Sequence, residues 1–415
     1  MLRPSASLLL LALVACGAPP APAKPQAPEK KVVTFDPGKS KSGPDAKPDA
    51  KPDAKPDAKP DAKPADPPAA ACAADSFPAA ASLTALYAAK DLAAARAAYA
   101  GTPLQQLVQA SDAATGRKDD ASVLAALADK TPAAHVATTA AIQGALGQWM
   151  RHNLKIAAED PDTARRPPAF AAARCAWQHG LRPLAVELQT FSQELSSEKA
   201  RDDATIAGDI DALYTTDPTD ERKLLPARQA IEKTWYRVVH RLLASAAANA
   251  RTKNDSTSAR RALGLFNMLR DRLQDRNTPG IALVETMLSG DIAGLDPAEV
   301  TRQIDIALIK RARKYCSEAV DPKFHDTAAG AASVREGATY TRIFLPAMRA
   351  ALAGQKFDAD GHMATWQAYA DAVDSGGDLD EIKKLSDELV HWNCAYQQVL
   401  KIRECTATSD EVAAK

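Results

Sequence analysis

The chain predicts an all-α protein built from stacked helical hairpins. Three observations lead there. Apolar residues recur at spacings of three and four, as in Leu83-Leu86-Tyr87 and Leu92-Ala95-Ala98-Tyr99. No stretch alternates β-branched residues in the manner of a strand, alanine is abundant, and aromatics make up only 5% of the 415 residues. The periodic segments are also punctuated by proline with Asp or Thr: Thr131-Pro132, Asp160-Pro161-Asp162, Asp217-Pro218-Thr219-Asp220, Asp296-Pro297 and Asp321-Pro322. Such clusters stop one helix and cap the next.

The first segment is different in kind. Met1-Leu2-Arg3 carries one arginine, and Leu8–Val14 is apolar but far short of the roughly 20 residues that span a bilayer. It has the form of a signal-peptide core and is set apart from the fold. Leu13-Val14-Ala15-Cys16 follows, with a small residue before the cysteine. This N-terminus resembles that of bacterial lipoprotein precursors. The resemblance covers only the first 17 or so residues. It implies cleavage before Cys16, diacylglycerol and a further acyl chain such as palmitate on that residue, and attachment to a membrane. Several chains, at about 0.8 kcal/mol per buried methylene, make a stable anchor where one does not. Gly17 stands where an Asp favours inner-membrane retention in that class, so the expected site is the outer membrane, facing the periplasm.

Residues 16–74 are expected to form a tether. The unit Pro-Asp-Ala-Lys recurs five times, starting at Pro44, Pro48, Pro52, Pro56 and Pro60. A proline at every fourth position removes amide donors and disfavours helix at the residue before it. Little apolar surface is available to offset ordering. An extended spacer at about 3 Å per residue would let the repeat block alone reach roughly 60 Å. Its alternating charges give it no polybasic run for anionic lipid.

Residues 75–415 are expected to form the helical domain, with about three degenerate repeats and a C-terminal half-repeat. Three helices share a strip at i, i+4, i+8 and i+12: Ile142-Leu146-Met150-Leu154, Ile231-Trp235-Val239-Leu243 and Ile304-Leu308-Ala312-Cys316. An aromatic follows the leading isoleucine after 35, 35 and 36 residues, at Trp177, Phe266 and Tyr340. Pro183 and Pro346 come six residues later in the first and third units, where the second has Arg272. A Gly-Asp marker recurs at Gly208-Asp209-Ile210, Gly290-Asp291-Ile292 and Gly377-Asp378-Leu379, its aspartate read as an N-cap, and Asp120 is a degenerate first copy. Leu385–Leu400 would be the half-unit. Stacked hairpins bury a continuous core and present an extended surface.

Of six cysteines, Cys16 is assigned to lipid, and the compartment permits disulfides among the rest. The repeat packing places the half-unit beside Cys316, which predicts a bridge from Cys316 to Cys394 or Cys405, with Cys175 free and buried. Cys394 and Cys405 can pair only if the last helix ends between them, since unbroken helix holds them about 16 Å apart.

No nucleophile elbow, zincin motif, phosphate loop, dinucleotide fingerprint or haem attachment is present. The seven histidines are scattered; His391 and Cys394, one helical turn apart, are the nearest approach to a metal pair, and two ligands do not make a site. The net charge is zero, which argues against nucleic acid. Arg165-Arg166 and Arg260-Arg261 read as solvated helix starts, and the five tryptophans as core. The expectation is a non-enzymatic, lipid-anchored scaffold without cofactor, whose partner is an envelope protein or the cell wall. The alternative is a periplasmic-side binding protein for a small ligand or metal.

Overall fold

The computed structural model describes Cys72 and residues 76–131, 133–194 and 203–407. The expected signal peptide, Cys16 and the expected tether lie outside the described residues, apart from Cys72. Every regular element among the described residues is helical.

Four short helices open the domain: α1 (Ala80–Ala88), α2 (Leu92–Tyr99), α3 (Pro103–Thr115) and α4 (Asp119–Ala128). They pack through Leu83, Leu86, Tyr99, Leu104 and Val123, all fully buried. The first long pair is α5 (Ala134–Glu159) with α6 (Arg166–Ala176), which runs through a π turn at Trp177–Leu181 into α7 (Arg182–Glu194). After α8 (Ile206–Leu213) comes the second pair, α9 (Glu221–Lys253) and α10 (Ser256–Leu273), then α11 (Thr278–Ser289). The third pair is α12 (Pro297–Glu318) and α13 (Ala328–Ala351), followed by α14 (Ala359–Asp374) and α15 (Leu379–Val399).

The punctuation sets these boundaries. Asp220, Asp255, Asp296 and Asp378 each accept a backbone N–H at the start of α9, α10, α12 and α15, and Asp160 closes α5. Each such cap contributes about 1 kcal/mol. Asp291 caps a single 3-10 turn. Asp209 corrects the expectation: it lies inside α8, which begins at Ile206, and accepts from the Thr205 hydroxyl. The Gly-Asp marker therefore does not have one structural meaning.

Within each long pair the two helices pack together, and the pairs are stacked: α5 contacts α10, α9 lies along α13 in one of the most extensive helix contacts, and α12 contacts α15. Ile142, Ile231, Ile304, Trp177 and Phe266 are fully buried, and Tyr340 is 2% exposed. The pairs differ in detail. The π turn belongs to the first, Pro346 lies inside α13 in the third, and in the second Arg272 falls at the end of α10. Close approach is set by glycine where it matters: a Cβ on Gly264 of α10 would sit 2.4 Å from the Ala140 Cβ of α5.

The cysteine pairing differs from the expectation. Cys394 bonds to Cys405, with Cα atoms 5.1 Å apart. The physical reason is that α15 ends at Val399, between them, and the chain turns back through Lys401, whose φ is +65°. Cys175 is not free; it bonds to Cys72. Cys316 is buried and unbridged even though α15 does pack against its helix. Cys72 is itself buried, so the packed part of the chain includes it, ahead of the expected boundary at residue 75.

Candidate functional site

The sequence singled out few polar residues, and the structure leaves the metal pair without support. The Cys394 sulfur is in a disulfide and offers no thiolate, while His391 lies on the surface with its ring edge-on to Trp392. Among the described residues no three His, Cys, Asp or Glu side chains converge as a ligand set. Arg165 and Arg166 hold the α5–α6 corner: Arg165 pairs with Asp160, and Arg166 donates to the Asp160 carbonyl. Arg261 pairs with Glu187 of α7. Trp177, Trp235 and Trp366 are core residues, and Trp177 and Trp235 meet edge to face across the first two pairs.

The polar feature that stands out is a buried ionic chain joining the stacked pairs. Along α9, Arg228, Glu232, Tyr236 and His240 recur every four residues, beside a second polar row at Gln229, Lys233 and Arg237. Glu232, Lys233, Tyr236, Arg237 and His240 are all buried. Arg151 of α5 donates to Glu232 at 2.5 Å. The Lys233 ammonium lies 3.0 Å from Glu232 and 3.1 Å from Glu336 of α13. Tyr236 also donates to Glu232. Burial alone would raise the Glu232 carboxyl, but Lys233 and Arg151 beside it outweigh that and hold it well below the usual carboxylate range. Burial likewise opposes the Lys233 charge, and Glu232, Tyr340 and Glu336 reverse the sign, leaving its pKa raised. Further along, Arg237 pairs with Asp203, and His240 stands 3.1 Å from Asp305 of α12, which also accepts from Tyr396 of α15. These contacts join all three pairs and the C-terminal helix.

Where the chain reaches the surface it forms the back of a polar cleft of about 460 Å³. Four segments converge there. The α5 face contributes Gln148, Arg151, His152 and Lys155, at i, i+3, i+4 and i+7; α9 contributes Arg228; α10 contributes Arg272; and Arg117 comes from the α3–α4 turn. Five cationic side chains face two carboxylates, Glu232 and Asp271. Arg117 is clasped by Asp119 at 3.0 Å and also pairs with Asp271, and Arg228 pairs with Glu159. Lys155 and Arg272 are exposed, and neither makes an ion pair among the described residues. The Arg117–Asp271 bridge also walls a neighbouring groove of about 560 Å³ between α4, α5 and α10, floored by Ala140, Ala141, Gly144 and Gly264.

The cleft is not legible in the sequence as a site. Its signal was the polar row Gln148-Arg151-His152-Lys155, which shares the helical spacing of the apolar strip beside it. By itself such a row also describes an ordinary solvated face. No protein-family model, curated protein or solved structure matches the chain.

Proposed function

We propose that the protein is a lipid-anchored cell-envelope scaffold, non-enzymatic, with a helical body that binds an envelope protein or the cell wall. The anchor reading comes from Leu13-Val14-Ala15-Cys16, and the reach from the Pro-Asp-Ala-Lys spacer. The observation that carries the proposal is how the body is attached where that spacer meets it. Cys72 is bonded to Cys175 at the C-terminal end of α6. The Cys72 amide donates to Gln178 at 2.7 Å, the Cys72 carbonyl lies 3.2 Å from the His179 ring, and Phe77 stacks on that ring. Tension on an anchored spacer would thus pass straight into the first long helix pair and bypass α1–α4. The ionic chain joining the pairs supports the same reading, because a body that is held at one end and bound elsewhere benefits from stiff junctions. The Ala/Gly-floored groove, rimmed by charged side chains such as Arg117, Asp119, Arg260 and Asp271, offers such a partner a surface.

The test is the anchor itself. Cys16→Ser should abolish incorporation of labelled palmitate and release the protein from the membrane fraction. Unchanged processing and fractionation would overturn the proposal.

A further inference from the structure

We infer that the cationic cleft between α5, α9 and α10 is a binding site for a small, multiply charged oxyanion, with Lys155 and Arg272 as its charge-bearing contacts and Arg151 at its floor. This does not depend on the lipid anchor.

The fold leaves a guanidinium donor unused at the cleft floor. Arg151 uses Nε on Glu232 and Nη1 on Gln148 at 2.7 Å, while its Nη2 makes no hydrogen bond among the described residues. Its side chain is only 9% exposed, so the guanidinium is held at the cleft floor by packing and by two acceptors. Arg228 is similarly fixed through Glu159. A planar guanidinium locked by its neighbours presents its remaining N–H groups with little further loss of entropy, which suits the paired oxygens of phosphate or carboxylate. Lys155 and Arg272 then add two positive charges to the lining, and neither is within ion-pair distance of a carboxylate among the described residues. The Arg272 backbone is fixed as well, its carbonyl accepting from Arg311 of α12. Two uncompensated cations call for a ligand with two negative charges. A volume of about 460 Å³ falls in the range of small-molecule pockets and exceeds what a single phosphate fills.

A titratable group at the cleft reports its field. His152 is less basic than an ordinary imidazole, first through burial and then through the positive charges of Lys155 and Arg165. A bound anion would oppose that field and raise the His152 pKa.

The experiment uses the purified full chain with pyrophosphate as the phosphate probe and succinate as the carboxylate probe. Calorimetric titration measures affinity, and histidine-selective NMR follows the His152 titration. The inference expects saturable pyrophosphate binding that weakens with added salt. It also expects at least fivefold weaker binding in Lys155→Glu and in Arg272→Glu, and an upward shift of the His152 pKa on saturation. Comparable succinate binding would assign the site to carboxylates as well, and pyrophosphate binding alone would assign it to phosphates. Both positions are exposed, so the variants should retain the wild-type far-UV spectrum. No binding of either probe at millimolar concentration would overturn the inference. So would binding that is unchanged in the Lys155→Glu/Arg272→Glu double variant, or that leaves His152 unmoved.

Discussion

Cysteine chemistry and one histidine account for the sharpest single-residue expectations. The Cys72–Cys175 bridge closes a loop of 103 residues and Cys394–Cys405 one of 11. On chain-entropy grounds the first stabilises by up to about 4–5 kcal/mol and the second by about 3 kcal/mol. Cys175→Ser should therefore lower the urea midpoint more than Cys405→Ser, and equal or reversed losses would contradict this. Burial pushes the Cys316 thiol up to about 12, so it should resist alkylation until the protein unfolds. His362 gives a pH dependence. It is 3% exposed, packed beside Phe357 and Trp366, and burial lowers its pKa from 6.5 to about 4. The unfolded chain binds this proton from about pH 6.5 downward and the folded chain only near pH 4. Stability from the neutral imidazole is thus full above that window and is lost as pH falls through it, by up to about 3 kcal/mol. His362→Leu should flatten the decline between pH 6.5 and 4 in urea melts; an unaltered slope would show that another group titrates there.

Between helices, the buried ionic chain is expected to matter more for what its loss leaves behind than for its net contribution. Glu232→Gln leaves Arg151 and Lys233 buried with weakened compensation and should cost about 3–5 kcal/mol. Truncating Ile231 beside it should cost about 2–5 kcal/mol through the cavity alone. Chemical denaturation of both variants checks this, and a loss under 1 kcal/mol for Glu232→Gln would mean water reaches the chain. The contrast between these neighbours also shows what the sequence disclosed. Ile231-Trp235-Val239-Leu243 announces its burial because apolar side chains at helical spacing have few other places to go. Asp220, Asp296 and Asp378 likewise announce helix starts through local hydrogen bonds. Glu232, Lys233, Arg237 and His240 look like a solvated face, because α9 is enclosed on more than one side and its polar rows meet partners from α5, α12 and α13 that are distant in sequence. The cleft was hidden for the same reason: Lys155, Arg228 and Arg272 converge only after the pairs stack. The Cys72–Cys175 bridge spans the opening helices and could not be read from spacing. The Cys394–Cys405 bridge turned on a helix end that the sequence had left open.

In the proposed reading, an anchor and a spacer precede a stack of helix pairs whose described start, Cys72, is bonded to Cys175 of the first long pair. That arrangement suits a body held at a distance from a membrane and engaged by something else. The most direct test is site-specific photo-crosslinking in cells, with a crosslinking amino acid at Ser122 or Asn267 in the Ala/Gly-floored groove or, as a control, at exposed Leu379 of α15. The account predicts a discrete adduct with an envelope macromolecule from the groove positions, absent from the control position and lost when Cys16→Ser releases the chain from the membrane. Groove positions that yield no adduct, or the same adducts from every position with and without Cys16, would contradict it.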